Sequence, residues 1–218
     1  MTTEFYRARV AKLVGVQIRE LRIPGSYEVT PKPFADDRGL FLEWYRFDVL
    51  ERELGHSLDL RQGNLSVSRR GTFRGVHFAD VPPGQAKYVT APSGAVLDFV
   101  IDLRVGSPTF GEWDSTVLDS VDRRAVYLGE GLGHAFLALT DDATVTYLVS
   151  DVYRPDREHG INPLDPDLGL RLPAGFESPL LSPKDAEAPS LSEALASGIL
   201  PTWDTARAHY ASLDRKVG

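Results

Sequence analysis

The 218-residue chain contains no cysteine. That absence excludes a disulfide framework, a cysteine-ligated zinc site, an iron–sulfur cluster and a cysteine nucleophile, and it fits a reducing compartment. Positive charge is in deficit: 24 Lys and Arg stand against 31 Asp and Glu, a net charge of −7. Nucleic acid and anionic membrane surfaces call for local positive charge, so neither is expected as a partner. No apolar run approaches a membrane span, and the first residues lack an apolar core of signal-peptide length; a cytoplasmic address is the expectation. Histidine is scarce. His56, His77, His134, His159 and His209 are the only five, with no H-x-H pair and no H-E-x-x-H. Gly129-Glu130-Gly131-Leu132-Gly133 matches neither a P-loop nor a strand-anchored dinucleotide fingerprint, and there is no G-x-S-x-G elbow.

What remains is ordinary globular material, 42% hydrophobic and 25% charged, able to bury a core. Nineteen glycines and fifteen prolines signal many turns and hence many short strands. The first fifteen residues or so read as a tail. Apolar–polar alternation then predicts strands over 17–23 and 26–30, with a further strand over 40–45 beyond the turn cluster at 31–39. A helix is predicted over 47–54, with Val49, Leu50 and Leu54 on one face and Gly55 as its stop. From 64 to 150 the text is almost purely β. Strands are predicted over 72–78, 86–91, 95–103, 112–118, 125–128, 135–139 and 144–149, punctuated by Pro/Gly/Asp turns that include 129–133. Closely spaced strands with no intervening helices indicate an all-β sandwich or jelly-roll barrel. After Tyr153 come a proline-punctuated loop over 162–173 and a helix over 189–196. The simplest division is a single domain over 1–218: an N-terminal extension over 1–25, a barrel over 26–153 and a C-terminal flank over 154–218.

Few residues suggest chemistry by themselves. Simple alternation puts Arg74 on one side with Val76 and Phe78, and His77 on the other with Phe73 and Gly75. A structural histidine is the more ordinary reading of His77. Lys87, past a Pro-Pro-Gly turn, reads as a cross-strand neighbour of His77 or as a snorkelling edge lysine. Asp98 and Asp102 interrupt an apolar strand on one side. They are either buried with a partner such as Arg104 or exposed to solvent. Tyr147 and Tyr153 read as packing or rim aromatics, and Asp185 as a turn or helix-capping aspartate.

The ordered motifs point further. Arg74-Gly75-Val76-His77-Phe78, Gly84-Gln85-Ala86-Lys87-Tyr88-Val89, Val100-Ile101-Asp102-Leu103-Arg104, Ser107-Pro108-Thr109-Phe110-Gly111, Gly131-Leu132-Gly133-His134-Ala135-Phe136, Tyr147 and Leu180-Leu181-Ser182-Pro183-Lys184-Asp185 follow one another along the chain. Phe34-Ala35-Asp36-Asp37-Arg38-Gly39 precedes them. Together they resemble the dTDP-4-dehydrorhamnose 3,5-epimerase family, and the finer wording is similar to its actinomycete branch of antibiotic deoxysugar enzymes. Two departures stand out: Val76-His77 replaces the usual Leu-His, and Ile161-Asn162-Pro163-Leu164-Asp165-Pro166 lacks the usual tryptophan.

The resemblance implies a cupin-type jelly-roll barrel with a few short flanking helices, no cofactor, no metal, and a homodimer that exchanges N-terminal strands. It implies epimerisation of a dTDP-4-keto-6-deoxyhexose at C3, with a 3,5-double or C5 epimerase as the alternative. His77 would be the base, Asp185 its orienting partner, Tyr147 the acid on the other face and Lys87, helped by Arg74, the support for the enolate oxygen. Arg38 would hold the diphosphate, in its own or the neighbouring subunit's site. Phe34, Glu43, Gln62, Asn64, His134 and Glu158 would seat base and sugar. A metal-dependent cupin using His77 and His134, and a non-catalytic sugar-nucleotide binder, are the rival readings.

Overall fold

The computed structural model describes residues 11–13 and 15–213. In chain order it contains β1 (Ala11–Leu13), β2 (Val16–Glu20), β3 (Ser26–Thr30), β4 (Phe34–Asp36), β5 (Gly39–Phe41), α1 (Phe47–Leu54), β6 (Gln62–Ser68), β7 (Phe73–Ala79), β8 (Lys87–Ser93), β9 (Ala95–Asp102) and β10 (Trp113–Asp119). These are followed by β11 (Ala125–Leu128), β12 (Leu132–Ala138), β13 (Ala143–Val149), β14 (Glu158–Gly160), α2 (Pro183–Ala186), α3 (Leu191–Ser197) and α4 (Trp203–Leu213). Two antiparallel sheets form a jelly roll, ordered β1-β2-β3-β11-β8-β13-β6 and β10-β9-β12-β7-β14, and β4–β5 stands apart as a hairpin.

Period-two alternation sorts the side chains into layers. Val96 and Val100 of β9 meet Val89, Ala91 and Val145 of the facing sheet between the two sheets. Phe99, Ile101 and Leu103 point the other way, into a second core closed by Ile161, Leu168, Phe176 and Leu191 of the C-terminal flank. A third core lies outside the larger sheet, where Val49 and Leu50 of α1 cover Ile18, Val29 and Tyr88. The smaller sheet is therefore covered on both faces. That is why every residue of β12 is buried and its sequence shows no polar alternation.

The predicted strands 26–30 and 125–128 and the predicted helix 47–54 coincide with β3, β11 and α1. The helix ends on Gly55 at φ +81°, whose N–H donates to the Glu51 carbonyl. The strand read over 17–23 stops at Glu20, because the chain turns through Leu21–Gly25 with the Ser26 N–H on the Ile23 carbonyl. The strand read over 40–45 is only Gly39–Phe41, paired with β4 alone. β12 begins at Leu132, inside the segment read as a turn. At Gly133 a Cβ would meet Val76 and Leu103 side chains at 2.7 and 2.8 Å, so this glycine serves close packing between strands. The helix read over 189–196 is Leu191–Ser197, entered through a Ser190–Glu193 capping box.

Of the residues read as a tail, 1–10 and 14 lie outside the described residues, while Ala11–Leu13 form β1 and pair with β2. β4 lies in the segment read as a turn cluster, and β6, β14, α2 and α4 lie where no individual strand or helix is predicted. Asp98 and Asp102 are 1% and 0% exposed, which removes their solvent-facing reading. The Arg104 guanidinium donates to both Asp102 oxygens at 2.8 Å and to the Pro24 carbonyl, and lies 4.5 Å from the Trp203 ring of α4.

Candidate active site

The site starts from an irregularity in β7. His134 pairs with His77 and Phe136 with Arg74, so β7 takes three steps where β12 takes two. Gly75 occupies this bulge at φ +117°. A Cβ there would sit 2.5 Å from the His134 carbonyl oxygen and 2.6 Å from the Ala135 Cβ, so only glycine allows the strands to approach this closely. The bulge corrects the simple alternation. Phe73, Val76 and Phe78 all point into the outer core, and Arg74 and His77 line one cavity.

Two neighbouring cavities, of about 430 and 270 Å3, share His77, Lys87, Tyr147 and Lys184 in their walls. The first also has Arg74, His134 and Asp185, with Ser66, Phe136 and Leu181 beside them. The second adds Gln62, Asn64, Gln85, Tyr153, Glu158 and His159. A larger groove of about 760 Å3, between the loop before β6, Glu130 and α4, contains none of the predicted site residues.

His77 Nε2 donates to Asp185 Oδ1 at 2.7 Å, across 108 positions of chain. Asp185 is no cap: Ser182 caps α2, its Oγ accepting the Asp185 N–H at 3.1 Å, which leaves the carboxylate free for the imidazole. Burial would raise the Asp185 carboxyl. The hydrogen bond and charge of His77 outweigh it and hold the group below its usual range. With the proton on Nε2 fixed by the carboxylate, the lone pair is left on Nδ1, the tautomer a base needs.

Lys87 is neither the cross-strand neighbour of His77 nor an edge lysine. It stands on β8, between β11 and β13 in the opposite sheet, and faces the cavity from across the barrel. It is 7% exposed. Burial pulls its amine down, and the charges of Glu158 and Asp98 draw it part of the way back. On β13, burial pushes the Tyr147 phenol up, Arg74 opposes and Glu158 assists. His134 Nε2 donates to buried Asp98 at 2.7 Å, and His159 Nε2 to Asp80 at the same distance. Among the described residues no three His, Asp or Glu side chains gather as a metal-ligand set, and each of these imidazoles is paired with a carboxylate instead. No helix among them is long and apolar enough to cross a membrane.

Nine of the twelve predicted site residues therefore line these two cavities: His77, Lys87, Tyr147, Arg74, His134, Asp185, Gln62, Asn64 and Glu158. Arg38, Phe34 and Glu43 do not. Arg38 pairs with Asp36 at the tip of the β4–β5 hairpin, Phe34 is half exposed on that hairpin, and Glu43 pairs with Arg46. Sequence reasoning missed Ser66, Gln85 and Lys184; the only signal for Lys184 was its place immediately before Asp185. An oriented imidazole, a buried amine and a protonated phenol around one space can remove a carbon-bound proton, stabilise the oxyanion that forms, and return a proton from another direction.

The comparisons agree with this chemistry. Residues 20–193 match the model of the family described as dTDP-4-dehydrorhamnose 3,5-epimerase. The chain is 55% identical over 193 residues to the dTDP-4-dehydrorhamnose 3-epimerase of Streptomyces niveus, covering 88% of this chain and 92% of the relative. It is 55% identical over 199 residues to the dTDP-4-dehydrorhamnose 3,5-epimerase of Mycolicibacterium smegmatis, covering 91% and 98%. ChmJ of Streptomyces bikiniensis, a 3'-monoepimerase solved in complex with dTDP-quinovose, superposes with a TM-score of 0.87 at 46% identity over 89% of this chain and 98% of that one. With the fold, the paired cavities and these likenesses in agreement, the chain belongs to the dTDP-4-dehydrorhamnose 3,5-epimerase family.

Proposed function

We propose that the chain epimerises a dTDP-4-keto-6-deoxyhexose at C3, by proton removal and return through an enolate. The observation that carries this reading is that His77, Tyr147 and buried Lys87 share the walls of the same two cavities. The C4 ketone acidifies the C3 hydrogen. His77, held by Asp185, removes it. Negative charge gathers on O4, where the Lys87 ammonium, supported by Arg74, stabilises it in a water-poor space. Tyr147, kept protonated by burial, delivers the new proton to the opposite face. His134, backed by Asp98, completes the wall beside the carbonyl. No hydride changes hands, so the chemistry calls for no redox cofactor. Gln62, Asn64 and Glu158 of the second cavity seat the nucleotide.

The working unit in this reading is a homodimer of single-domain chains. Its β4–β5 hairpin, with Phe34 52% and Phe41 67% exposed, carries Phe34 and Arg38 to the partner's site. Inversion at C3 alone is supported by the Streptomyces relatives named as 3-epimerases. The test is proton NMR of the substrate in heavy water. Deuterium is expected at C3 without added cofactor. His77→Ala should abolish exchange with dTDP affinity retained, and Tyr147→Phe should exchange but invert poorly. Turnover by His77→Ala overturns the reading, and deuterium at C5 as well as C3 makes the chain a double epimerase.

A further inference from the structure

We propose that the groove of about 760 Å3 between the loop before β6, the β11–β12 turn and α4 is a second ligand site, one for a small organic cation whose primary ammonium meets Glu130. The inference is independent of the epimerase reading, since this groove shares no residue with the two cavities of the candidate active site. Its volume falls within the range of small-molecule sites, about 300–1,000 Å3. That favours a free small molecule over a single lysine stem reaching in from another protein.

Glu130 sets the chemistry. It stands in the groove wall, 4% exposed, and is held from three sides. The Tyr210 hydroxyl of α4 donates to its carbonyl at 2.5 Å, and Ser150 Oγ donates to its Oε1 at 3.2 Å. Its stem lies against Gly84, at φ +72°, where a Cβ would collide with the Glu130 Cβ. Its other oxygen, Oε2, is buried with no hydrogen-bond partner. Buried polar atoms are nearly always paired, and a carboxylate oxygen left without a donor is costly. Among the described residues no lysine or arginine compensates it. The two guanidiniums of the groove are already balanced, Arg61 by Asp59 and Arg154 by Asp151. His209 Nε2 lies 3.9 Å from Oε1, beyond hydrogen-bond reach. An ammonium supplies three donors and the missing positive charge at this point. Its carbon body would rest on the apolar walls made by Leu58, Leu60, Pro83, Val152 and Leu213.

The experiment titrates cyclohexylammonium, and cyclohexanol as its uncharged counterpart of similar size, into wild type, Glu130→Gln, Asp59→Asn and Leu213→Trp. It is run at pH 8, above the ordinary histidine range of about 6.5, and read by NMR from the histidine ring signals. In wild type the ammonium is expected to bind saturably and roughly tenfold more tightly than the alcohol, moving the rings of His56 and His209 and not that of His77. Glu130→Gln, which keeps the shape and removes the charge, should bring the two affinities together. Asp59→Asn, which alters an exposed acid of the same groove, should keep the preference. Leu213→Trp narrows the groove from α4 with Glu130 in place. It should weaken both probes alike, and it keeps the test open where Glu130→Gln unsettles the fold. Equal affinity for the two probes in wild type overturns the proposal, as do shifts centred on His77. So does a preference that survives Glu130→Gln or falls in Asp59→Asn, and so does unchanged binding in Leu213→Trp.

Discussion

At the scale of single residues, Lys87 carries a cost that its proposed role explains. An ammonium taken out of water is destabilised, and with burial as the dominant influence its pKa falls below the ordinary lysine value of about 10.4. Only the protonated amine can support an enolate oxygen, so raising the pH through that lowered value removes the charge and the rate. The alkaline limb of kcat/KM for C3 exchange is therefore expected below the usual lysine range. In Lys87→Arg, which keeps its charge, the limb should move to higher pH at a reduced rate. Exchange rates read by NMR across the alkaline range check this, and a limb that stays in place in Lys87→Arg would remove Lys87 from the step. Tyr147 has the opposite sign: burial raises the phenol, so it stays protonated across the working range, as a donor must.

At the scale of elements, the β7 bulge decides whether the site exists. Gly75→Ala imposes a side chain at φ +117° with its Cβ against the His134 carbonyl. A loss of about 3 kcal/mol or more is expected, from backbone strain plus overpacking. The midpoint of urea unfolding reads it, and an unchanged midpoint would show that the strands can part without penalty. This bulge is also where the legibility of the sequence ran out. Strands such as 26–30 and 125–128 could be read because their apolar residues fall on a regular period. A bulge shifts that period by one without changing composition, and so Arg74 was assigned to the wrong side. β6 escaped notice because its inward row, Gln62, Asn64, Ser66 and Ser68, is polar and its outward Leu65 and Val67 are exposed, the reverse of an ordinary barrel strand. α4 escaped because only Ala206 of its eleven residues is buried, leaving little apolar stripe to read. The candidate catalytic residues were legible only as a series of motifs. Physical reading alone preferred a structural histidine and a capping aspartate, since nothing in local spacing reveals a contact across 108 positions.

At the scale of the whole molecule, the proposed dimer accounts for the predicted nucleotide-binding residues that lie away from the cavities. Arg38 and Phe34 sit on a hairpin that packs on neither sheet through strand pairing and leaves Leu40 and Phe41 in solvent. If Arg38 serves the neighbouring site, Arg38→Ala and His77→Ala chains, each impaired alone, should regain activity when mixed and allowed to exchange subunits. One of the two sites in the mixed dimer would then carry both native residues. Recovery towards half the wild-type specific activity per mixed dimer is expected from C3 exchange rates. No recovery, with mixed dimers demonstrated by mass, would assign Arg38 to its own chain.

The long span between His77 and Asp185 has a consequence during synthesis. Every strand of both sheets has been made by Gly160, well before Asp185 leaves the ribosome. The stretch that brings the carboxylate selecting the imidazole's tautomer also brings Leu168, Phe176 and Leu191, which cover the outer face of the smaller sheet. Sealing that face and arming the base are therefore one late event in translation, and a message cut short in the two dozen codons after Gly160 forfeits both.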